Sequence, residues 1–162
     1  MQYLHSLNIN ARMLKFEKIY LNDKLEPVFI NVGFDYYGPI TKDVEYISGF
    51  GDSFKSDVFA FAIVIYKMFS TEEIVENKTK FNFEYVTKVR RGWRPERPNL
   101  IPNCYWDLVC RCWNFDQKKV PSFDEIVELL QNDIYAIDEF GMTTDRDALH
   151  EYQLRVKNKR YD

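Results

Sequence analysis

One stretch of the sequence sets the main limit on the fold. "SDVFAFAIVIYKMFS", residues 56–70, is apolar nearly all round at helical spacing, and Ser56 is its candidate N-cap. A helix with this pattern is buried on most faces, so we expect it to lie at the centre of a domain. The 162 residues suffice for one such core and not for two.

Further helices are predicted on both sides of this central helix. The opening "MQYLHSLNI" has apolar residues at helical spacing and no capping residue before them, so it is interpreted as the end of a helix whose beginning is absent. Three more segments are helical by pattern: residues 81–92, 103–115 and 121–137. Gly92 is a natural C-terminal cap, and Pro121 is placed near a first turn. "TTDRDALHEYQLRVKNK", with early acids and late bases, has the polarity of a terminal helix.

The β-structure predicted from the sequence is small. "KIYL" and "PVFINV" are β-branched and aromatic, and "NDKLE" between them supplies turn chemistry at Asn22 and Asp23. They predict one hairpin. Residues 33–55 follow no sustained period and are predicted to be a loop, and "RPERPNLIP" is predicted to be an extended connection. The fold class is therefore mainly α.

Charge and cysteine content exclude several classes of function. The net charge of −3 gives no general attraction for nucleic acid or an anionic membrane. No apolar run approaches the ~20 residues of a membrane span, and no signal-peptide pattern opens the chain, so a cytoplasmic location is expected. The cysteines at 104, 110 and 112 are predicted to be reduced thiols. A metal site is not expected, because the two histidines, His5 and His150, lie far away in sequence.

Several pieces, in this order, resemble the C-terminal lobe of a protein kinase of the tyrosine-kinase or tyrosine-kinase-like branch. "YLHS" with "INARMLKFEKIYL" resembles the end of the long helix and the catalytic loop. "PVFINVG" resembles the strand pair with the D-F-G motif, and "FKSDVFAFAIVIYKMFS" resembles the central helix. "VRRGWRPERPNLIPNCYWDLVCRCWNFDQKKVPSFDEIVELL" resembles the family's ending. The resemblance implies a kinase C-lobe-like domain over residues 1–137 and a helical extension over 138–162.

The positions that carry catalysis in the family hold other residue types here. The family's H-R-D-L-x-x-x-N pattern places its His on Ala11, its catalytic Asp on Met13 and its metal-binding Asn on Lys18. The D-F-G Asp falls on Asn31. A thioether has no useful basicity, and an ammonium is not a metal ligand. The resemblance therefore implies a degenerate loop, with no catalytic, cofactor-binding or metal-binding residue.

The sequence also contains neither the Gly-rich loop nor the V-A-I-K lysine of a kinase N-terminal lobe. The N-lobe is accordingly expected to be absent. No cofactor is expected, and ATP with magnesium belongs only to the alternative in which the chain is part of an active kinase.

The retained family positions are structural. Asp57 matches the acid that in the family hydrogen-bonds the catalytic-loop backbone; the alternative is a helix-start acid favoured by the macrodipole. Arg12 matches the arginine that can receive an activation-loop phosphate, with a surface or backbone-bonding arginine as its alternative. The other matching positions are Leu14, Gly33, Trp113 and Pro121.

One pair of family charges is predicted to be lost together. About residues 48–50 stand in place of the A-P-E glutamate, and Val120 stands in place of the arginine that pairs with it. Replacing both members of a buried ion pair by apolar groups can be neutral, whereas losing one is costly. The loss of both charges together is the pattern expected of a chain whose sequence has changed while its fold is kept.

Three functional hypotheses follow. The first is a catalytically inactive, pseudokinase-like interaction or scaffold module in signalling. Its protein partners include, as one option, a kinase or a chain that bears an N-lobe. Its candidate contact areas are the face that an N-lobe covers in the family and the helix around Phe81, Phe83 and Tyr85. The second is a serine/threonine or tyrosine kinase of which this chain is an incomplete or divergent part. The third is a truncated gene product.

Overall fold

The computed structural model describes residues 1–11, 14–24, 26–29, 53–70 and 83–132, without the side chains of residues 83–86. This part of the chain is mainly helical and includes one two-stranded sheet, as expected. Its helices are α1 (Gln2–Ser6), α2 (Phe54–Phe69), α3 (Phe83–Arg90), α4 (Asn103–Cys112) and α5 (Phe123–Leu130). Its strands are β1 (Ile19–Leu21) and β2 (Pro27–Phe29), and two 3₁₀ turns span Phe16–Lys18 and Gln117–Lys119.

Helix α2 is central, as its all-round apolar pattern predicts, and nine of its sixteen residues are buried. The prediction that Ser56 caps it is wrong. Ser53 occupies the N-cap with an extended backbone, while Ser56 lies in the first turn and donates from its hydroxyl to the carbonyl of Ser53 at 2.6 Å. The extra turn has tertiary partners: the ring of Phe54 contacts His5 of α1, and the ammonium of Lys55 donates to the carbonyl of Val120.

Helix α2 packs mainly against α4, and aromatic rings fill the space between them. Tyr66 and Trp106 both contact the ring of Trp113, at centroid distances of 5.8 and 5.7 Å. Trp113 is the C-cap of α4, so this helix ends at Cys112 and not at the predicted residue 115. Arg94 stabilises the C-terminal end of α4, because its guanidinium donates hydrogen bonds to the Trp113 carbonyl.

Helix α5 begins with a complete capping box. The hydroxyl of Ser122 accepts from the backbone N–H of Glu125, whose carboxylate accepts from the backbone N–H of Ser122. Pro121 therefore precedes the N-cap and does not occupy the first turn. The helix ends at Leu130, seven residues short of the predicted residue 137, with Gln131 as its C-cap.

The predicted hairpin is confirmed. Its register pairs Ile19 with Phe29, Tyr20 with Val28, and Leu21 with Pro27. The side-chain oxygen of Asn22 accepts from two backbone N–H groups in the turn, which is the local chemistry that makes asparagine a turn residue.

Helices α1 and α3 end with the same hydrogen-bond pattern. Gly92, at φ +95°, donates to the carbonyl of Val89, and Trp93 donates to that of Lys88. These are the two bonds of a Schellman motif, so the predicted cap at Gly92 is confirmed. Asn8, at φ 57°, takes the equivalent position after α1, which suits an asparagine better than most non-glycine residues.

The remaining predictions concern residues outside the described part. These are most of the loop at residues 33–55, the terminal helix over 143–159 and the extension over 138–162, so the domain boundary stays a prediction. In the part of the chain that is described, no helix is long and apolar enough to cross a membrane.

Candidate functional site

The site is organised by one buried carboxylate at the head of α2. Asp57 is 1% exposed, and its Oδ2 accepts from the backbone N–H of Ala11 at 2.7 Å. This is the contact with the loop backbone that the resemblance implies for Asp57. The same oxygen lies 2.9 Å from Nε2 of His5. One carboxylate thus joins α1, α2 and the loop that follows α1.

His5 is the residue that sequence reasoning missed. Its ring lies tilted against Phe54 of α2, with the ring centroids 4.4 Å apart, and meets Phe123 of α5 edge-on at 5.0 Å. These contacts hold the imidazole where it reaches Asp57. The available signal was its place in "YLHS", but only the packing of three helices shows what the ring touches.

Two residues of the loop, Ala11 and Leu14, are buried, and we call these residues with their contacts the frame of the loop. Ala11 is fully buried and Leu14 is 5% exposed, and Leu14 belongs to the core that α2 and α4 share. Ala11 stands at the position of the family's histidine, yet the backbone N–H at that position is what Asp57 binds. This hydrogen bond therefore does not depend on the side chain at position 11.

The end of the loop, just before β1, carries the positive charge of Lys18. Lys18 ends the 3₁₀ turn Phe16–Lys18 immediately before β1, and it is partly exposed. Glu17 in the same turn forms an ion pair with Lys67 of α2. The hydrogen bond from Lys67 is the main cause that holds the pKa of Glu17 below its usual 4.5. The structure thus places the Lys18 side chain at the end of this turn, and its match to the family's metal-binding amide stays a prediction.

Four of the predicted site positions lie outside the described residues. They are Arg12, Met13, Asn31 and Gly33. The structure brings Ala11, Leu14 and Asp57 together and places Lys18 on the turn that follows. Within the described ranges, no group of three or more His, Cys, Asp or Glu side chains could hold a metal ion.

Two of the three cysteines, Cys110 and Cys112, have thiols whose pKa is raised. None of the three forms a disulfide. Cys112 is buried in the core, and burial raises the pKa of its thiol to about 12. Burial also raises the pKa of Cys110. Thiolate chemistry near neutral pH is therefore not supported at either position.

Two further family positions serve packing. Trp113 is buried among aromatic rings, and Pro121 is buried just before α5. Val120, at the place of the family's arginine, is buried, and its carbonyl accepts from Lys55. The partner segment at residues 48–50 lies outside the described residues, so the paired loss of charge stays a prediction.

Comparison with known proteins places the chain in a family. The family model described as protein tyrosine and serine/threonine kinase matches residues 43–130, which is more than half of the chain. The chain belongs to the protein kinase family. The match covers the central helix α2 and extends to the end of α5.

Individual relatives are kinases of several kinds. Two probable LIM domain-containing serine/threonine-protein kinases of Dictyostelium discoideum are each 28% identical over 143 residues, which is 81% of this chain and 22% or 15% of theirs. The mouse tyrosine-protein kinase TXK is 32% identical over 78 residues, 48% of this chain and 15% of its own. The chain thus spans about a fifth or less of the length of these relatives.

Proposed function

We propose that this kinase-family chain is an interaction module that does not transfer phosphate. The observation that supports this most directly is Lys18, an ammonium at the position where the resemblance puts a metal ligand, in a loop whose described part is bound by Asp57. The residue types that perform catalysis in the family are replaced here, while Asp57 still binds the loop backbone.

The chemistry of the reaction explains why this matters. Phosphoryl transfer by protein kinases uses a carboxylate to accept the substrate proton and oxygen ligands to hold magnesium on the phosphates. Met13 offers no basic atom, and Asn31 offers a neutral carbonyl in place of a carboxylate. Lys18 repels a divalent cation. A base-and-magnesium mechanism therefore has none of its three central groups.

The hairpin supplies the candidate contact surface. Tyr20 and Val28 are cross-strand partners on one face of the sheet, and they are 55% and 42% exposed. Ile19 and Phe29, on the other face, pack against the core. An aromatic and aliphatic pair turned to solvent favours contact with an apolar protein surface. Under this proposal the partner is a protein, and a chain bearing a kinase N-lobe is the first to test.

The decisive experiment measures nucleotide binding and phosphate transfer together. The chain is melted with and without millimolar magnesium-ATP and is assayed with radiolabelled ATP and a general protein acceptor. We expect no shift in Tm and no incorporation. A ligand at about a hundred times its Kd would stabilise by roughly 2.7 kcal/mol, which a melt resolves.

The matched control restores the family residues in one variant, Met13→Asp with Lys18→Asn and Asn31→Asp. If the restored variant binds magnesium-ATP and the natural chain does not, the three positions account for the difference. Incorporation by the natural chain that exceeds a mock preparation would overturn the proposal.

The second candidate function is protein kinase activity, with this chain as part of a larger catalytic unit. The names of the relatives favour it, since they are serine/threonine- and tyrosine-protein kinases. A clear rise in Tm with magnesium-ATP would support this alternative even without incorporation.

The hairpin surface is tested separately. Tyr20→Ser with Val28→Ser should reduce the binding of a hydrophobic dye and any self-association seen by gel filtration, with little change in stability because both side chains are exposed. Met68→Ser is the matched control, since Met68 is 62% exposed on α2. Equal effects of the two variants would argue against the hairpin as the contact surface.

A further inference from the structure

A second region of the molecule has the features of a small binding site. A cavity of about 280 Å³ lies between α1, the start of α2 and the start of α5. The rings of His5, Phe54 and Phe123 line it and contact one another through His5. The volume is just below the usual range of small-molecule pockets. It suits one apolar side chain better than a large ligand.

The charged side chains that line the cavity differ in the partners they already have. Lys55 contributes an ammonium that is partly buried and donates to the carbonyl of Val120. Among the described residues, no carboxylate forms an ion pair with it. An ammonium has three donors, so it retains the capacity to bind an anion.

The neighbouring acids already have hydrogen-bond donors. Asp124 also lines the cavity, and it accepts from the side-chain amide of Gln2 at 2.7 Å. Glu125 accepts from the backbone N–H and the hydroxyl of Ser122, at 2.6 and 2.9 Å. The pKa of Glu125 is lowered by its hydrogen bonds from Ser122 and, to a smaller extent, by the nearby ammonium of Lys55. The two acids therefore weaken the attraction for an anion, although neither forms an ion pair with Lys55.

We propose that this cavity binds the C-terminal residue of a partner polypeptide, with its apolar side chain between the rings and its terminal carboxylate on Lys55. The ammonium of Lys55 donates to the carboxylate, and the aromatic lining packs against the apolar side chain. The site is separate from the degenerate loop. It does not depend on whether the chain transfers phosphate, so activity in the ATP assay would leave this proposal intact.

The test uses two probes that differ only in charge. N-acetyl-L-phenylalanine carries the carboxylate, and N-acetyl-L-phenylalaninamide carries a neutral amide in its place. Each is titrated into the isotope-labelled 162-residue chain, and backbone amide shifts are followed by NMR. We expect the carboxylate to bind with a Kd on the order of millimolar, as suits so small a ligand. The shifts should map to Ser6, Val58 and Ser122.

Variants then separate the ammonium from general charge. Lys55→Met should weaken the carboxylate probe about two- to fivefold, the range of a partly exposed ion pair, and leave the amide probe unchanged. Lys55→Arg should keep the preference for the carboxylate. Lys119→Met is the matched control, because Lys119 is an exposed lysine outside the cavity lining, and it should change neither affinity.

The result that would overturn the proposal needs no variant. If the carboxylate probe binds the natural chain no more tightly than the amide probe, or if the shifts map away from the cavity, the site does not select a terminal carboxylate. A preference that survives Lys55→Met would equally overturn the role of Lys55.

Discussion

The carboxylate of Asp57 should be the most costly polar group to remove from this molecule. Asp57→Ala leaves the backbone N–H of Ala11 buried without its acceptor, which alone costs about 1–3 kcal/mol. It also takes the partner from the imidazole of His5. Because the hydrogen bond to His5 adds about 0.5–1.5 kcal/mol to the cost of the unsatisfied N–H, we expect a loss of about 2–4 kcal/mol in the free energy of unfolding.

The assay is urea unfolding followed by circular dichroism, with hydrogen exchange of the Ala11 amide as a local readout. Asp57→Asn keeps an acceptor oxygen and loses the charge, so it should fall between the natural chain and Asp57→Ala. Asp124→Ala is the matched control. Asp124 is exposed on α5 and accepts one bond from Gln2, so its loss should cost no more than about 0.5–1 kcal/mol.

The reasoning would be refuted if Asp57→Ala cost less than about 1 kcal/mol, the net value of one ordinary hydrogen bond. It would also fail if the Ala11 amide exchanged at the same rate in both proteins. Either result would mean that the loop is held by other contacts and that Asp57 is only a helix-start acid.

Other predictions follow from single contacts. Ser122→Ala removes the capping box of α5 and should cost about 1 kcal/mol in urea unfolding; an unchanged midpoint would contradict it. The pKa of Glu17 is lowered, so its pair with Lys67 stabilises the fold above pH 4.5 and is lost as the pH falls through that lowered pKa. The stability of the natural chain should thus approach that of Lys67→Met in acid, and parallel pH profiles would refute this. Cys112, with a pKa of about 12, should resist Ellman's reagent in the native state and react in urea, whereas partly exposed Cys104 should react in both.

Local sequence signals were sufficient where one residue determines the backbone. Gly92 ends α3 because few other residues adopt its φ of +95°. Asn22 forms the hairpin turn through its own side-chain oxygen. The central place of α2 followed from its composition alone, since a helix apolar on all sides has to be surrounded. These features could be predicted without knowledge of the fold.

Helix boundaries were predicted less well because distant residues determine them. Ser53 and Ser56 are equally good caps by residue type, and the contacts of Phe54 and Lys55 favour the earlier start. Helix α4 ends at Cys112, where the guanidinium of Arg94 donates a hydrogen bond to the carbonyl of Trp113. Arg94 lies nineteen residues before Trp113 in the sequence. Neither contact can be read from the local pattern.

The site illustrates the same division. The contact of Asp57 with the loop was expected from the resemblance, whereas the part played by His5 was not, because three helices bring it to Asp57. For function, the important point is which two groups the hydrogen bond of Asp57 with the loop joins. Asp57 binds a backbone N–H, and every residue type except proline supplies one, so this hydrogen bond does not require the histidine that the resemblance puts at position 11.

The contacts of the described part of this loop can be assigned to individual atoms. The described contacts use the backbone of Ala11, the buried side chain of Leu14 and the pair of Glu17 with Lys67. Under the proposed function, the contacts of the described part of the loop and the groups that react in the family are different atoms, so we expect substitution at the reactive positions to leave the lobe folded. Restoring Asp at position 13 should accordingly change the free energy of unfolding far less than Asp57→Ala does, and an equal loss would show that the loop has adapted to Met13.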